Sequence, residues 1–214
     1  HDGPVENLYG AMVMPGFHDA HSHPIAGGIQ SLQCDVSGSA SVEETLARIE
    51  ACHEAYPDTP APEDDWLVGG GWNLGLFPDA NPHKSLLDDI VGDRPVYLEG
   101  EDGHSGWASS AALRRAGVTA DTDDPPLGVI ERNADGEPTG TLRETAQALV
   151  TEHLPPVTDE LRTAGALAAL EQANAFGITS IVAASVDGPA LATWERLAAD
   201  GRLTARLVTS IRMA

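Results

Sequence analysis

The chain has 214 residues, 42% of them hydrophobic, and carries 33 acidic against 12 basic residues for a formal net charge of −21. That length supports a folded domain with a sizeable core. The charge argues against a nucleic-acid or anionic-membrane surface, because a strongly negative field repels both.

No apolar run reaches membrane-spanning length and no basic-then-apolar leader opens the chain, so a cytoplasmic address is expected. Lys84 is the only lysine; the other basic residues are arginines. Such an acidic balance suits a protein kept soluble in high salt, where counterions screen self-repulsion, and a halophilic source is expected. Cys34 and Cys52 are too few and too separated for a zinc finger or a disulfide scaffold, and are expected as reduced thiols.

In chain order, residues 1–14 read as the end of a preceding unit, closed by the turn signal Pro15-Gly16. Phe17 to His23 reads as a strand stopped by Pro24. Alternate strand residues share a face, so Asp19, His21 and His23 are expected to project together. Two imidazoles side by side at a strand end can bind a divalent metal if other ligands arrive from elsewhere. Taken alone, a His-x-His pair is more often two exposed strand residues.

Val42 to Tyr56 reads as a helix, capped by Ser41 with Glu44 completing a capping box. A Pro/Asp-rich loop follows over 57–65. Trp66 to Trp72 is a short strand ending in glycines that lack the lysine of a phosphate loop, which excludes nucleotide binding there. Ser85 to Ile90 is a short helix or turn, and Pro95 to Glu101 a buried strand leading into Asp102-Gly103-His104-Ser105. Ser109 to Ala116 is a small helix closed by Gly117. Gly128 to Asn133 and Pro138 to Leu142 form a hairpin about Asp135-Gly136. Glu144 to His153 is expected to continue as a helix. Thr158 caps a helix from Asp159 to Phe176, closed by Gly177. Strand Ile178–Ala184, helix Ala190–Asp200 and strand Ala205–Ile211 then predict a parallel α/β sheet.

Pro15-Gly16-Phe17-x-Asp19-Ala20-His21-Ser22-His23 closely resembles the first-strand signature of the amidohydrolase superfamily, metal-dependent hydrolases on a (β/α)8 barrel. His18 stands where that family usually carries an aliphatic residue. Later stretches are similar, in order and spacing, to the YtcJ-like branch that includes N-substituted formamide deformylases. They are Gly70-Gly71-Trp72, Leu87-Asp88 before Arg94-Pro95-Val96, Asp102-Gly103-His104-Ser105 with Trp107, Gly136-Glu137-Pro138-Thr139-Gly140, Leu142-x-Glu144 and Phe176-Gly177-Ile178-Thr179-Ser180. The resemblance implies an α/β fold, a TIM barrel present only in part. Residues 1–16 would be a remnant of a small β-domain. Residues 17–214 would be the N-terminal part of the barrel, with an insertion around 57–142, ending near the fifth strand. Further histidines and a catalytic aspartate would lie beyond Ala214, and an open half-barrel would leave a sheet edge and an apolar face exposed.

The resemblance further implies hydrolysis of a carbon–nitrogen bond in a non-peptide amide or formamide by a metal-activated water. The cofactor would be one or two divalent ions, zinc by expectation. On the same resemblance His21 and His23 are metal ligands, and Asp19 either orients one of them or, as a strand-end carboxylate, makes a backbone hydrogen bond. Many relatives bridge two metals with a carbamylated lysine. Lys84 lies in a loop between Pro82 and Leu87, so a bridging ligand is expected to be a carboxylate, with Glu144 the choice. An ordinary helix-N-terminal glutamate is the alternative for Glu144. His104 is read as a catalytic group, binding substrate or stabilising an oxyanion. Trp72 and Trp107 are expected to wall the substrate pocket, although core packing is the commoner fate of tryptophan. His18 is expected in the core or an interface. The expected partner is a small amide-type substrate, with neither nucleic acid nor membrane, and a homodimer is an option. A deaminase of the same superfamily and a catalytically incomplete fragment with a structural role stay open as alternatives.

Overall fold

The structure is a computed structural model that describes residues 3–4, 6–55 and 65–212; the Pro/Asp-rich loop expected over 57–65 lies outside the described residues except for Asp65. Two sheets organise the α/β fold. The first holds β1 (Phe17–Ser22), β8 (Ile178–Val186) and β9 (Arg206–Ile211) in the order β1-β8-β9, all parallel. The parallel arrangement expected from Ile178 onward is therefore present. Among the described residues this sheet has three strands, so β9 is its third strand and not the expected fifth.

Helices α6 (Asp159–Ala175) and α7 (Gly188–Ala199) cover one face of that sheet. Thr158 Oγ1 accepts from Leu161 N at 3.1 Å and Asp187 Oδ1 accepts from Ala190 N at 2.8 Å, satisfying amide donors that a helix start leaves unpaired. Ala166, Leu170, Ile181, Trp194 and Leu197 form the core beneath them. Phe17, Val208 and Ile211, each at least half exposed, remain apolar on the surface.

Pro24, expected only to stop the strand, also opens helix α1 (Pro24–Leu32). Proline suits a first helical turn, where its missing N–H would have no partner. α1 packs on α6 through glycines. A Cβ on Gly28 would sit 1.9 Å from the Gly165 carbonyl oxygen, and one on Gly165 would sit 2.5 Å from Ile29 Cγ1. Only two residues without side chains permit that backbone approach.

The second sheet takes residues from Cys34 to Glu144 and orders its strands β2-β3-β4-β5-β7-β6. They are β2 (Cys34–Asp35), β3 (Leu67–Trp72), β4 (Val96–Gly100), β5 (Ser105–Ala108), β6 (Gly128–Arg132) and β7 (Pro138–Glu144). β2, β3 and β4 are parallel; β5, β7 and β6 add antiparallel pairs. Helices α2 (Val42–Ala55) and α3 (Ser85–Val91) cover one face, and α4 (Ser110–Arg115) and α5 (Ala148–Thr151) the other. Along β4, Val96 and Leu98 enter one core and Tyr97 the other, as strand alternation requires. The hairpin about Asp135-Gly136 is present, with Gly136 at φ +84.

Glu144 departs from the expected helix. It ends β7, and a 3-10 turn Thr145–Gln147 separates it from α5. The cysteines depart as well. Cys34 on β2 and Cys52 on α2 are disulfide-bonded, their Cα atoms 5.6 Å apart, within the reach of such a bridge. A pattern of two cysteines could not reveal that α2 folds back onto β2. The bridge runs against the expected cytoplasmic address, since disulfides are rare in the cytosol. No helix among the described residues is long and apolar enough to cross a membrane.

Two outcomes follow for stability. Gly28→Ala should cost about 1–3 kcal/mol through overpacking against α6, seen as a lower urea midpoint; an unchanged midpoint would refute the contact. Cys52→Ser, which opens a bridge of sequence separation 18, should cost about 3 kcal/mol, and the unreduced wild type should show no alkylatable thiol after unfolding.

Candidate active-site cleft

β1 delivers two of the candidate metal ligands. The strand ends at Ser22, and His23 takes the position before α1 with φ −118 and ψ 69. The β1–β8 register shifts between Asp19 and Ser22. The expected common face of Asp19, His21 and His23 is therefore broken: Asp19, Ser22 and His23 line the cleft, and His21 stands exposed beside them. The His21 and His23 rings are nevertheless neighbours, 5.4 Å between centroids and edge-to-face.

His23 Nδ1 lies 3.1 Å from the Ala184 carbonyl oxygen. A carbonyl only accepts, so that nitrogen donates its proton and the Nε2 lone pair stays free to bind a metal. Asp19 Oδ1 accepts from the His21 backbone N–H at 3.0 Å. Asp19 thus shapes the strand end through the backbone, the second of the two roles expected of it. Ser22 Oγ is buried with no hydrogen-bond partner among the described residues.

The opposite wall comes from the second sheet. His104 lies in the turn between β4 and β5, so it does not follow a strand of the parallel sheet as a barrel reading expects. Asp102 builds the turn: its Oδ1 accepts from His104 N and its Oδ2 from Ser105 Oγ, both at 3.0 Å. Glu144 reaches His104 twice. Its N–H donates to the His104 carbonyl at 2.8 Å, and its Oε2 lies 3.0 Å from His104 Nδ1. It does so from φ 49 and ψ −126, a conformation L side chains rarely adopt and one that costs about 1–3 kcal/mol. The hydrogen bond and charge of Glu144, with a smaller effect of Asp102, raise the His104 pKa above the usual imidazole value. Desolvation, then the charge of Asp102, also raises the Glu99 carboxyl.

The cleft between these walls has a volume of about 1320 Å³. Asp19 and His23 face it from the first sheet, and Tyr97, Glu99, His104 and Gln147 from the second. Among the described residues no three His, Cys, Asp or Glu converge to hold a metal ion. The expected set of His21, His23 and Glu144 is thus not assembled, and the structure gives the Glu144 carboxylate to His104. His21 and His23 fit a divalent ion as a two-nitrogen half-site that needs further ligands.

Trp72 and Trp107 do not wall the cleft. Both are fully buried in the core between the second sheet and its helices, 6.1 Å apart edge-to-face and packed on Phe77. The Trp72 Nε1–H donates to the Leu98 carbonyl at 3.0 Å. His18 is exposed, against the core position that is one of the two expected of it. Lys84 Nζ donates to the Pro138 carbonyl at 2.6 Å, away from the cleft. Sequence reasoning missed Tyr97, Glu99 and Gln147. The available signal was Glu99 itself, a charge inside an otherwise apolar strand and on the same face as Tyr97.

The amidohydrolase family profile matches residues 5–214. YtcJ of Bacillus subtilis (strain 168) is 39% identical over 175 residues, which cover 81% of this chain and 32% of YtcJ. The N-substituted formamide deformylase of Arthrobacter pascens is 34% identical over 153 residues, 70% of this chain and 27% of that protein. The crystal structure of an uncharacterized metal-dependent hydrolase from Pyrococcus horikoshii OT3 superimposes with a TM-score of 0.60 at 21% identity, covering 92% of this chain and 36% of that one, a likeness of fold. The chain spans about a third of the length of the curated relatives it matches. On the profile match and these relatives, the chain belongs to the amidohydrolase family.

Proposed function

We propose that this chain is part of a metal-dependent hydrolase that cleaves the carbon–nitrogen bond of a small non-peptide amide, an N-substituted formamide being the first candidate. The observation that carries this reading is the His21–His23 pair at the end of β1, with rings 5.4 Å apart and His23 Nδ1 held on Ala184. In an amidohydrolase, such a pair opens a metal site. A bound divalent ion, zinc by expectation, supplies an activated water and polarises the scissile carbonyl.

The protein's own residues set the stage for that chemistry. His23 is fixed in one tautomer and offers Nε2. His104 faces the same cleft from the other wall, and Glu144 favours its protonated form. A protonated imidazole can donate to the carbonyl oxygen as negative charge develops there. The parallel order β1-β8-β9 supports reading these strands as part of a (β/α)8 barrel, and Phe17, Val208 and Ile211 leave apolar surface exposed on them.

The test uses the full-length protein with N-phenylformamide as substrate. His21→Ala and His23→Ala should each lower bound metal and turnover together, turnover by roughly 100-fold or more. Full turnover after chelation, with no stoichiometric metal in the wild type, would sink the reading. His104→Ala should keep the metal yet lower kcat by about 100-fold or more, as loss of an oxyanion donor does.

A further inference from the structure

We propose that Gln147 is a positioning residue that holds Glu144 on His104, a role that rests on the reading of His104 as a substrate-facing group. Gln147 closes the 3-10 turn after Glu144 and is half-buried on the cleft wall. Its two amide atoms face different partners. Nε2 donates to the Glu144 carbonyl at 3.3 Å, and Oε1 accepts from the Tyr97 hydroxyl at 2.8 Å.

Tyr97 is a firm anchor. It is 4% exposed within the core, and a Cβ on Gly106 would sit 2.5 Å from its hydroxyl oxygen. Gly106, opposite Glu99 in the β4–β5 ladder, thereby opens the path by which the hydroxyl reaches Gln147. The core fixes Tyr97, Tyr97 fixes Gln147, and Gln147 fixes the carbonyl side of Glu144. The amide side is fixed separately, by the Glu144 N–H on the His104 carbonyl at 2.8 Å.

A residue at φ 49 needs such support from both sides. With it, the carboxylate arrives at His104 Nδ1, and Nε2 is the nitrogen left for a substrate. The link between Glu144 and Gln147 alone could be a local turn contact. The link to Tyr97 makes it more, because it ties the turn to another strand of the sheet. The charged groups acting on His104 are Glu144 after β7 and Asp102 from its own turn, and Glu99 of β4 lies near that turn, its Oε1 3.9 Å from where a Cβ on Gly103 would sit.

The experiment compares Gln147→Met, Tyr97→Phe and Glu144→Gln in the full-length, metal-loaded protein. It records pH–rate profiles on N-phenylformamide and the titration of ¹³C-labelled histidine by NMR. Glu144 stabilises the imidazolium, so releasing it must lower the His104 midpoint. Gln147→Met should lower that midpoint in the same direction as Glu144→Gln, and move the alkaline limb of kcat to lower pH. It should also cut kcat about tenfold with little change in KM. Tyr97→Phe removes one oxygen and should repeat the shift in weaker form, which covers the case of a Gln147→Met protein that does not fold. If both variants keep the wild-type midpoint while Glu144→Gln moves it, the positioning role is overturned. If the midpoint falls as expected but His104→Ala retains full turnover, the positioning link stands and the reading of His104 fails.

Discussion

The cleft depends on a contact between two residues that have no side chains. Gly28 on α1 meets Gly165 on α6 with no room for a Cβ on either. α1 follows β1, and α6 precedes β8. The whole second sheet is inserted between these helices, so β1 and β8 must find each other across a long excursion of chain. Loop-closure entropy opposes that meeting. Close packing of α1 on α6 offsets it and sets β1 beside β8 in parallel register. The hydrogen bond from His23 to the Ala184 carbonyl joins those two strands, so the tautomer of a candidate metal ligand follows from a helix–helix contact.

The two walls share a second device. Each places a non-glycine residue of positive φ beside its histidine. Glu144, at φ 49, holds His104; Ser185, at φ 55, follows the Ala184 carbonyl that holds His23. The Arg212 Nε–H donates to Ser185 Oγ at 2.9 Å, and the β8–β9 register shifts between Ala183 and Val186. Such conformations persist only where surrounding contacts over-determine them, and they concentrate at functional sites. Here both walls use local backbone strain to aim a hydrogen-bond acceptor at an imidazole.

Local signals in the sequence are enough for much of this. Asp135-Gly136 places its hairpin, Thr158 and Gly177 bracket α6, and His-x-His spacing brings two rings together. What is not legible is set by distant partners. Proline reads as a strand stop, yet it serves equally as the first residue of a helix, and only packing on α6 decides between them. Tryptophans near glycine turns suit a pocket wall or a core; the helices laid over β3 and β5 make them core. Glu144 and the residues after it have helical propensity, but its pairing with Gly128 on β6 and its N–H on the His104 carbonyl keep it at the end of the strand. The sequence order Cys34 to Cys52 is silent on the fold-back that bridges them. His104 follows a strand as expected, but the sheet that strand joins is decided by pairing far along the chain.

The charge imbalance takes on a definite meaning once the basic side chains are placed. Several of them clamp backbone, and two of these, Arg48 and Arg143, pair with a glutamate as well. Arg132 donates to the carbonyls of Thr119, Ala120, Thr122 and Gly136. Arg143 reaches the Ala80 carbonyl, Arg48 that of Ser37 and Lys84 that of Pro138. Each carbonyl belongs to a loop or an element end, where backbone groups lack regular partners. Guanidinium suits the task because its several donors reach more than one carbonyl at once. The Arg114–Asp93 ion pair is largely exposed and contributes little. The excess carboxylates therefore face solvent with their repulsion unbalanced within the chain. Added salt screens that repulsion, while clamps made of short hydrogen bonds to neutral carbonyls have little long-range charge attraction to lose.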